Sequence, residues 1–222
     1  MTTLEIAVTT LPEAIAAAQG GADSVELSYD LRRGGLTPSL DLVTQVLTAV
    51  EIDVHVIVRP TDRDFVYTPA EIDLILHQAR EIAALDVTGL VFGAHTSAGT
   101  LEIDLIRRVA EAAGKPVTLH RALDSAASPE DGLRQLIGVI PRVLTSGPAA
   151  TAWEGRHTLR RWVDQFGQHF DFIAAGTIRL EHIAELAQVT GVSGCHVGSG
   201  AYRGGQVDAE QVQRLVAALA RN

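Results

Sequence analysis

Eight short apolar runs, each followed by a longer stretch with helical periodicity, alternate along the whole of this chain. The runs fall at residues 4–8, 24–27, 54–58, 89–92, 117–120, 142–144, 170–174 and 194–197. The helical stretches fall at 12–19, 40–50, 71–85, 101–113, 129–137, 155–166, 180–190 and 209–221. Strict alternation of strand and helix implies a parallel sheet joined by right-handed crossovers. Eight such units in 222 residues close most economically into one α/β domain over 1–222, a single (β/α)8 TIM barrel. The competing architecture, an open doubly wound sheet, calls for a glycine-rich turn after the first strand. Val8-Thr9-Thr10-Leu11-Pro12 supplies none. Segments entering strands are short, such as Gly114-Lys115-Pro116, whereas those leaving strands at 28–39 and 59–70 are long. Long exit loops place the working end at the C-terminal mouth and could serve there as lids.

Composition narrows the function classes. Acidic residues outnumber basic ones, 27 to 18, and the formal net charge of -9 argues against a nucleic-acid partner, which needs a basic face. No apolar run reaches membrane-spanning length, and the opening Met-Thr-Thr-Leu-Glu-Ile lacks the features of a signal peptide. A cytoplasmic protein is expected. Cys195 is the one cysteine, so neither an intrachain disulfide nor a multi-thiolate metal cluster can form. Lys115 is the one lysine. It precedes the fifth strand, at the wrong end for Schiff-base chemistry. No Gly-x-Ser-x-Gly elbow marks a serine hydrolase.

Polar residues inside barrel strands ask for a reason. Glu5 interrupts the first strand and Glu26 the second; His55 and Arg59, four residues apart, share a face of the third. His120 ends the fifth strand, Arg121 and Asp124 follow it, and His196 ends the eighth. A buried ion-pair network is the structural explanation of such groups. Their convergence from five strands favours a functional pocket. Small residues after the last strands, around Gly176, Ser199 and Gly200, would let backbone N–H groups approach a phosphate or carboxylate. Ser146 adds a hydroxyl after strand six. Cys195 is expected to face a helix as a small apolar residue.

These segments resemble the CutC family, named for copper homeostasis. The resemblance is carried by Val25-Glu26-Leu27, by Gly34-Gly35-Leu36-Thr37-Pro38-Ser39 and by Val58-Arg59-Pro60 with Asp64-Phe65 and Tyr67. It continues through His120-Arg121-Ala122-Leu123-Asp124, Leu144-Thr145-Ser146-Gly147 and the stretch from His196 to Ala201. It implies a β/α barrel, a cytoplasmic homodimer and copper binding or tolerance. Its polar mouth residues correspond to Glu26, His55, Arg59, His120, Arg121, Asp124 and Ser146. Ser28 and Val66 stand where relatives often carry cysteine, so a thiolate Cu(I) site of that kind is absent. Any divalent metal would need imidazole and carboxylate ligands from Glu26, His55, His120 and His196. No organic cofactor is implied. Beside a copper-handling protein stand two further expectations. One is an enzyme that holds a small anionic ligand with Arg59, Arg121, Ser146, Gly176, Ser199 and Gly200, and does acid–base work with Glu26, His120 and Asp124. The other is a non-catalytic ligand-binding dimer.

Overall fold

In the structure, a computed structural model describing residues 2–220, the eight runs are eight strands. They are β1 (Thr3–Val8), β2 (Ser24–Leu27), β3 (Asp53–Ile57), β4 (Gly89–Phe92), β5 (Val117–Leu119), β6 (Arg142–Thr145), β7 (Asp171–Ala175) and β8 (Gly194–Val197). All pair in parallel in chain order, and β8 pairs back onto β1 to close the barrel. The helices between and after them are α1 (Leu11–Gln19), α2 (Leu40–Ala49), α3 (Pro69–Ala83), α4 (Ile103–Ala113), α5 (Pro129–Leu136), α6 (Ala152–Phe166), α7 (Ile183–Thr190) and α8 (Ala209–Leu219). The fold class read from the sequence is therefore the fold observed. Arg221, the expected end of the last helix, lies outside the described residues.

Strand alternation sorts the side chains into two layers. Leu4, Ile6, Val25, Leu27, Val54, Val56 and Leu90 turn outward into one large apolar cluster with helix residues such as Ala14, Val43, Ile75, Ile106 and Trp162. Burial of this shell supplies most of the drive to fold. Cys195 belongs to it, so the thiol faces the helices as expected. Inside the barrel, Leu144, Ile173 and Ala175 form a small separate apolar patch. Ala7, Ile57 and Val91 add further apolar surface to the interior, and the polar side chains Glu5, Glu26, His55 and His196 stand among them.

Helix starts follow local chemistry. Thr68 with Glu71 and Thr151 with Glu154 form reciprocal capping boxes that start α3 and α6. The second box starts α6 three residues before the expected Gly155. Gly155 then has a different reason to be glycine. A Cβ there would stand 1.8 Å from the Ser146 carbonyl oxygen, because α6 packs directly against the loop leaving β6. We expect Gly155→Ala to lower stability by about 3 kcal/mol, measured by urea denaturation; a change within experimental error would disprove the close approach.

One element has no counterpart among the expected runs. Tyr202–Arg203 (β9) and Gln206–Val207 (β10) pair as an antiparallel hairpin. Gly204 and Gly205, both at positive φ, make the two-residue turn. A Gly-Gly pair is a hairpin turn signal, but its arms, Tyr202-Arg203 and Gln206-Val207, are too short to register as a strand pattern.

Candidate active site

The register of β1, β2, β3 and β8 decides which polar side chains meet. Glu5 aligns with His196 across one strand pair, and Glu26 with His55 across another. Glu5 accepts a hydrogen bond from Arg142 Nη2 at 2.9 Å, pairs with His196 Nδ1 at 2.9 Å, and lies 4.0 Å from His55 Nε2. Ser24 donates to it at 3.3 Å. Burial alone would raise the Glu5 carboxyl, but Arg142, His196 and His55 together hold it well below the usual carboxylate range.

Glu26 stands within 4.8 Å of both Glu5 and His196, counting ligand atoms. Burial pushes its carboxyl up, the neighbouring Glu5 charge adds to that, and His196 opposes it. None of the hydrogen bonds among the described residues engages its side chain. Burial would depress His196, but Glu26 and the hydrogen-bonded Glu5 lift it above its ordinary value. Three adjacent groups are thus driven apart in proton affinity, the arrangement from which acid–base assignments are read.

Above this floor opens a cavity of about 1050 Å³ at the C-terminal ends of the strands. Glu26 and His196 line it, as do Arg59, His120, Arg121, Gly176 and Ser199. His55, Asp124, Ser146 and Gly200 do not. His55 sits one layer deeper, beside Gly89 and Glu5. Two residues four apart on a strand share a face but are separated by about 13 Å along it, which puts Arg59 at the mouth and His55 in the interior. Gly200 serves packing, since a Cβ there would meet the Ile178 carbonyl at 2.2 Å.

Asp124 and Ser146 act behind the wall. Asp124 accepts from Arg121 Nε at 2.7 Å, from the Ser146 amide at 3.0 Å and from the Thr145 hydroxyl. Arg121 Nη2 also donates to Ser146 Oγ at 3.0 Å. The side chain of Arg121 is thereby held across the cavity edge, with no hydrogen bond from Nη1 among the described residues. Gly176 lies against it, at 3.6 Å between its virtual Cβ and Arg121 Cζ.

His120 caps the 3-10 turn Arg121–Ser125, and the Ala122 amide donates to its Nδ1 at 3.1 Å. Nδ1 therefore carries no proton, and the neutral ring carries its hydrogen on Nε2. Burial and the nearby Arg59 cation depress the imidazole to about 3, so it stays neutral at physiological pH. His95 braces the same turn through Ala122 O at 2.7 Å. Arg59, only 6% exposed, has no carboxylate partner among the described residues. Its Nη1 donates to the carbonyls of Arg33 and Gly34, and its Nη2 to that of Arg63. One guanidinium thus ties together the two long loops. Phe65 packs against both Arg59 and His120, with the Arg59 Cζ 5.1 Å and the His120 ring 4.8 Å from its centroid.

Sequence reasoning missed Arg142, the internal partner of Glu5, and the cavity-lining Phe65 and Tyr202. An arginine opening the apolar run Arg142-Val143-Leu144 was the available signal for the first.

A closed β/α barrel with an acid–base floor and cationic side chains at its C-terminal mouth defines a pocket protein of the TIM-barrel class. Residues 2–201 match the CutC family, and the chain belongs to that family. It is 37% identical over 190 residues to a family protein CutC of Chromobacterium violaceum, covering 85% of this chain and 77% of that one. To a family protein CutC of Histophilus somni it is 34% identical over 205 residues, covering 90% and 83%. The crystal structure of CutC from Streptococcus agalactiae, whose name associates it with copper homeostasis, superposes with a TM-score of 0.83 at 24% identity, over 90% of this chain and 99% of that one. Phosphoribosylanthranilate isomerase from Thermotoga maritima superposes at 0.67 with 15% identity over the full length of both chains, a likeness of fold.

The donors present do not suit copper. Cu(I) favours thiolate or thioether ligands. Among the described residues the one thiol, Cys195, is fully buried away from the cavity, and burial pushes it up to about 12. Met1 lies outside the described residues. Glu5, Glu26 and His196 offer oxygen and nitrogen, but the Arg142 guanidinium already occupies Glu5. A second cation there would meet repulsion. The same objection meets a divalent metal held by Glu26 and His196. His55 and His120 belong to different layers and do not join that cluster.

Proposed function

We propose that the pocket binds a small phosphorylated or carboxylated compound and moves a proton on it, with Glu26 and His196 as the acid–base pair. The observation that carries this reading is Glu26 itself: a buried carboxyl, raised in proton affinity, beside an imidazole also raised, on the floor of an open cavity. Such groups are expensive to bury and are retained where proton transfer is needed. Arg121, aimed by Asp124 and Ser146, and the backbone at Gly176 and Ser199 supply the anion-holding side. Asp124 is then a positioning residue, and His120 a neutral hydrogen-bond donor in place of the acid–base role expected from the sequence. On this reading any part in copper homeostasis is exerted through the pocket's ligand. The family resemblance supports a cytoplasmic homodimer.

Calorimetric titration with inorganic phosphate tests the anion site. Binding is expected in the parent protein, and Arg121→Ala should weaken it roughly 10- to 100-fold, the worth of a charge-assisted hydrogen bond. Equal affinity in both proteins would remove Arg121 from the site.

A further inference from the structure

Charges buried in a protein are as a rule paired with an opposite charge. Arg142 faces Glu5 at 2.9 Å, and Arg121 faces Asp124 at 2.7 Å. Arg59 is more deeply buried than either, yet its terminal nitrogens meet only backbone carbonyls. Carbonyl dipoles and the Phe65 ring soften the cost of that burial without cancelling a unit charge. The wall of the cavity, which Arg59 lines, thus holds a cation in want of a counter-charge. The turn above it brings a second one. The 3-10 turn Leu31–Arg33 is seated directly on the Arg59 guanidinium, since a Cβ at Gly34 would stand 2.7 Å from Nη1. Within that turn Arg33 pairs with Asp62 at 2.7 Å. Arg32 instead stands at the cavity rim with its side chain 94% exposed, reaching Asp30 only at 3.5 Å. The carboxylates on this side have their own donors. Asp30 accepts from the Arg32 amide at 3.2 Å, and Glu13 from the Thr9 amide at 2.7 Å and hydroxyl at 2.9 Å.

We propose that Arg32 and Arg59 form a second cationic pole, so that the ligand carries two anionic groups, one at Arg121 and one under Arg32. This deepens the function proposed above and rests on it. Barrel topology sets the poles apart. In the closed ring of eight strands β2 lies four places from β6 in either direction. Arg32 belongs to the loop leaving β2, and the Arg121 guanidinium is bonded to Ser146 at the exit of β6. The two therefore face each other across the mouth, above the floor that Glu26 and His196 form. Room for an extended molecule is present. The cavity of about 1050 Å³ stands at the top of the roughly 300–1,000 Å³ usual for small-molecule sites, far more than one phosphate or carboxylate fills. The two arginines divide the work. Arg59 has its nitrogens turned into the protein and acts through its field, which a low-dielectric wall leaves strong. Arg32 supplies the direct hydrogen bonds, ordering over the second anion as it binds.

Two probes separate the second pole from the first. Hexyl phosphate and hexanediol bisphosphate share one chain and differ only in the second anion. In calorimetry at low salt the bisphosphate should bind the parent protein roughly 10- to 100-fold more tightly. Added salt should shrink that margin, because the attraction of an exposed arginine is screened. Arg32→Ala, a change at an exposed position, should remove most of the margin. In 15N-labelled parent protein the Arg59 Nε–H resonance should move with the bisphosphate and hold its place with hexyl phosphate. If Arg32→Ala keeps the full margin, or the Arg59 signal does not move, the second pole is wrong. If the two probes bind the parent protein alike, the second pole falls and the Arg121 site stands. If neither binds, both readings fall.

Discussion

Glu5→Ala is expected to destabilise the barrel by about 3–5 kcal/mol, because it strands Arg142 and His196 in the interior without their shared carboxylate. That is a large part of the 5–15 kcal/mol typical of a folded domain, so the urea midpoint should fall sharply. The effect carries a pH signature. Glu5 is depressed in the folded state, so its contribution is present above its unfolded value of 4.5 and drains away as pH falls below it. His196 is raised, so its contribution is fully present below 6.5 and is lost as pH rises through its folded value. The difference between Glu5→Ala and the parent protein should therefore be widest between these two values. The double substitution Glu5→Leu with Arg142→Leu should recover much of the loss, since apolar replacement of a buried pair is often near neutral. A single variant within about 1 kcal/mol of the parent would refute a buried ion pair at this position.

Glu26→Gln should do the opposite to stability. Its carboxyl is raised by burial and by the Glu5 charge, so the parent protein pays for ionising it as pH rises above 4.5. Removing the charge should stabilise the fold by about 1–2 kcal/mol at pH 8, the trade expected of a residue kept for chemistry. Proton transfer should fall roughly 10²- to 10⁴-fold. Thermal melts across pH measure the first effect. Exchange of solvent deuterium into the carbon-bound hydrogens of a bound compound measures the second. A destabilised Glu26→Gln that still exchanges deuterium at the parent rate would reassign Glu26 to structure.

The barrel was readable from the sequence because β1 to β8 are short apolar runs and a parallel strand covered by helices needs little else. Helix starts were less so: α6 begins at the Thr151 cap, and α4 begins at Ile103 because Leu101 bridges to His95. Which polar residues reach the cavity was also visible, since Glu26, Arg59, His120 and His196 interrupt or end apolar runs. Depth was not. Spacing separates His55 from Arg59 along one face, but only the strand register sets His55 against Glu26 and within reach of Glu5. Nor could spacing show that Asp124 spends its oxygens on Arg121, Thr145 and Ser146. That closure joins the exits of two adjacent strands, and its partners meet only through the fold.

Lys115 lies just before β5, at the end of the barrel opposite the cavity, where its Nζ donates to the Val87 carbonyl at 2.8 Å. With no other lysine side chain in the sequence, an amine-reactive dye or resin has one ε-amino group to find, on the face turned away from the pocket. Attachment through it would present the open mouth to solution, giving a surface on which libraries of small anions could be screened with every cavity facing the same way.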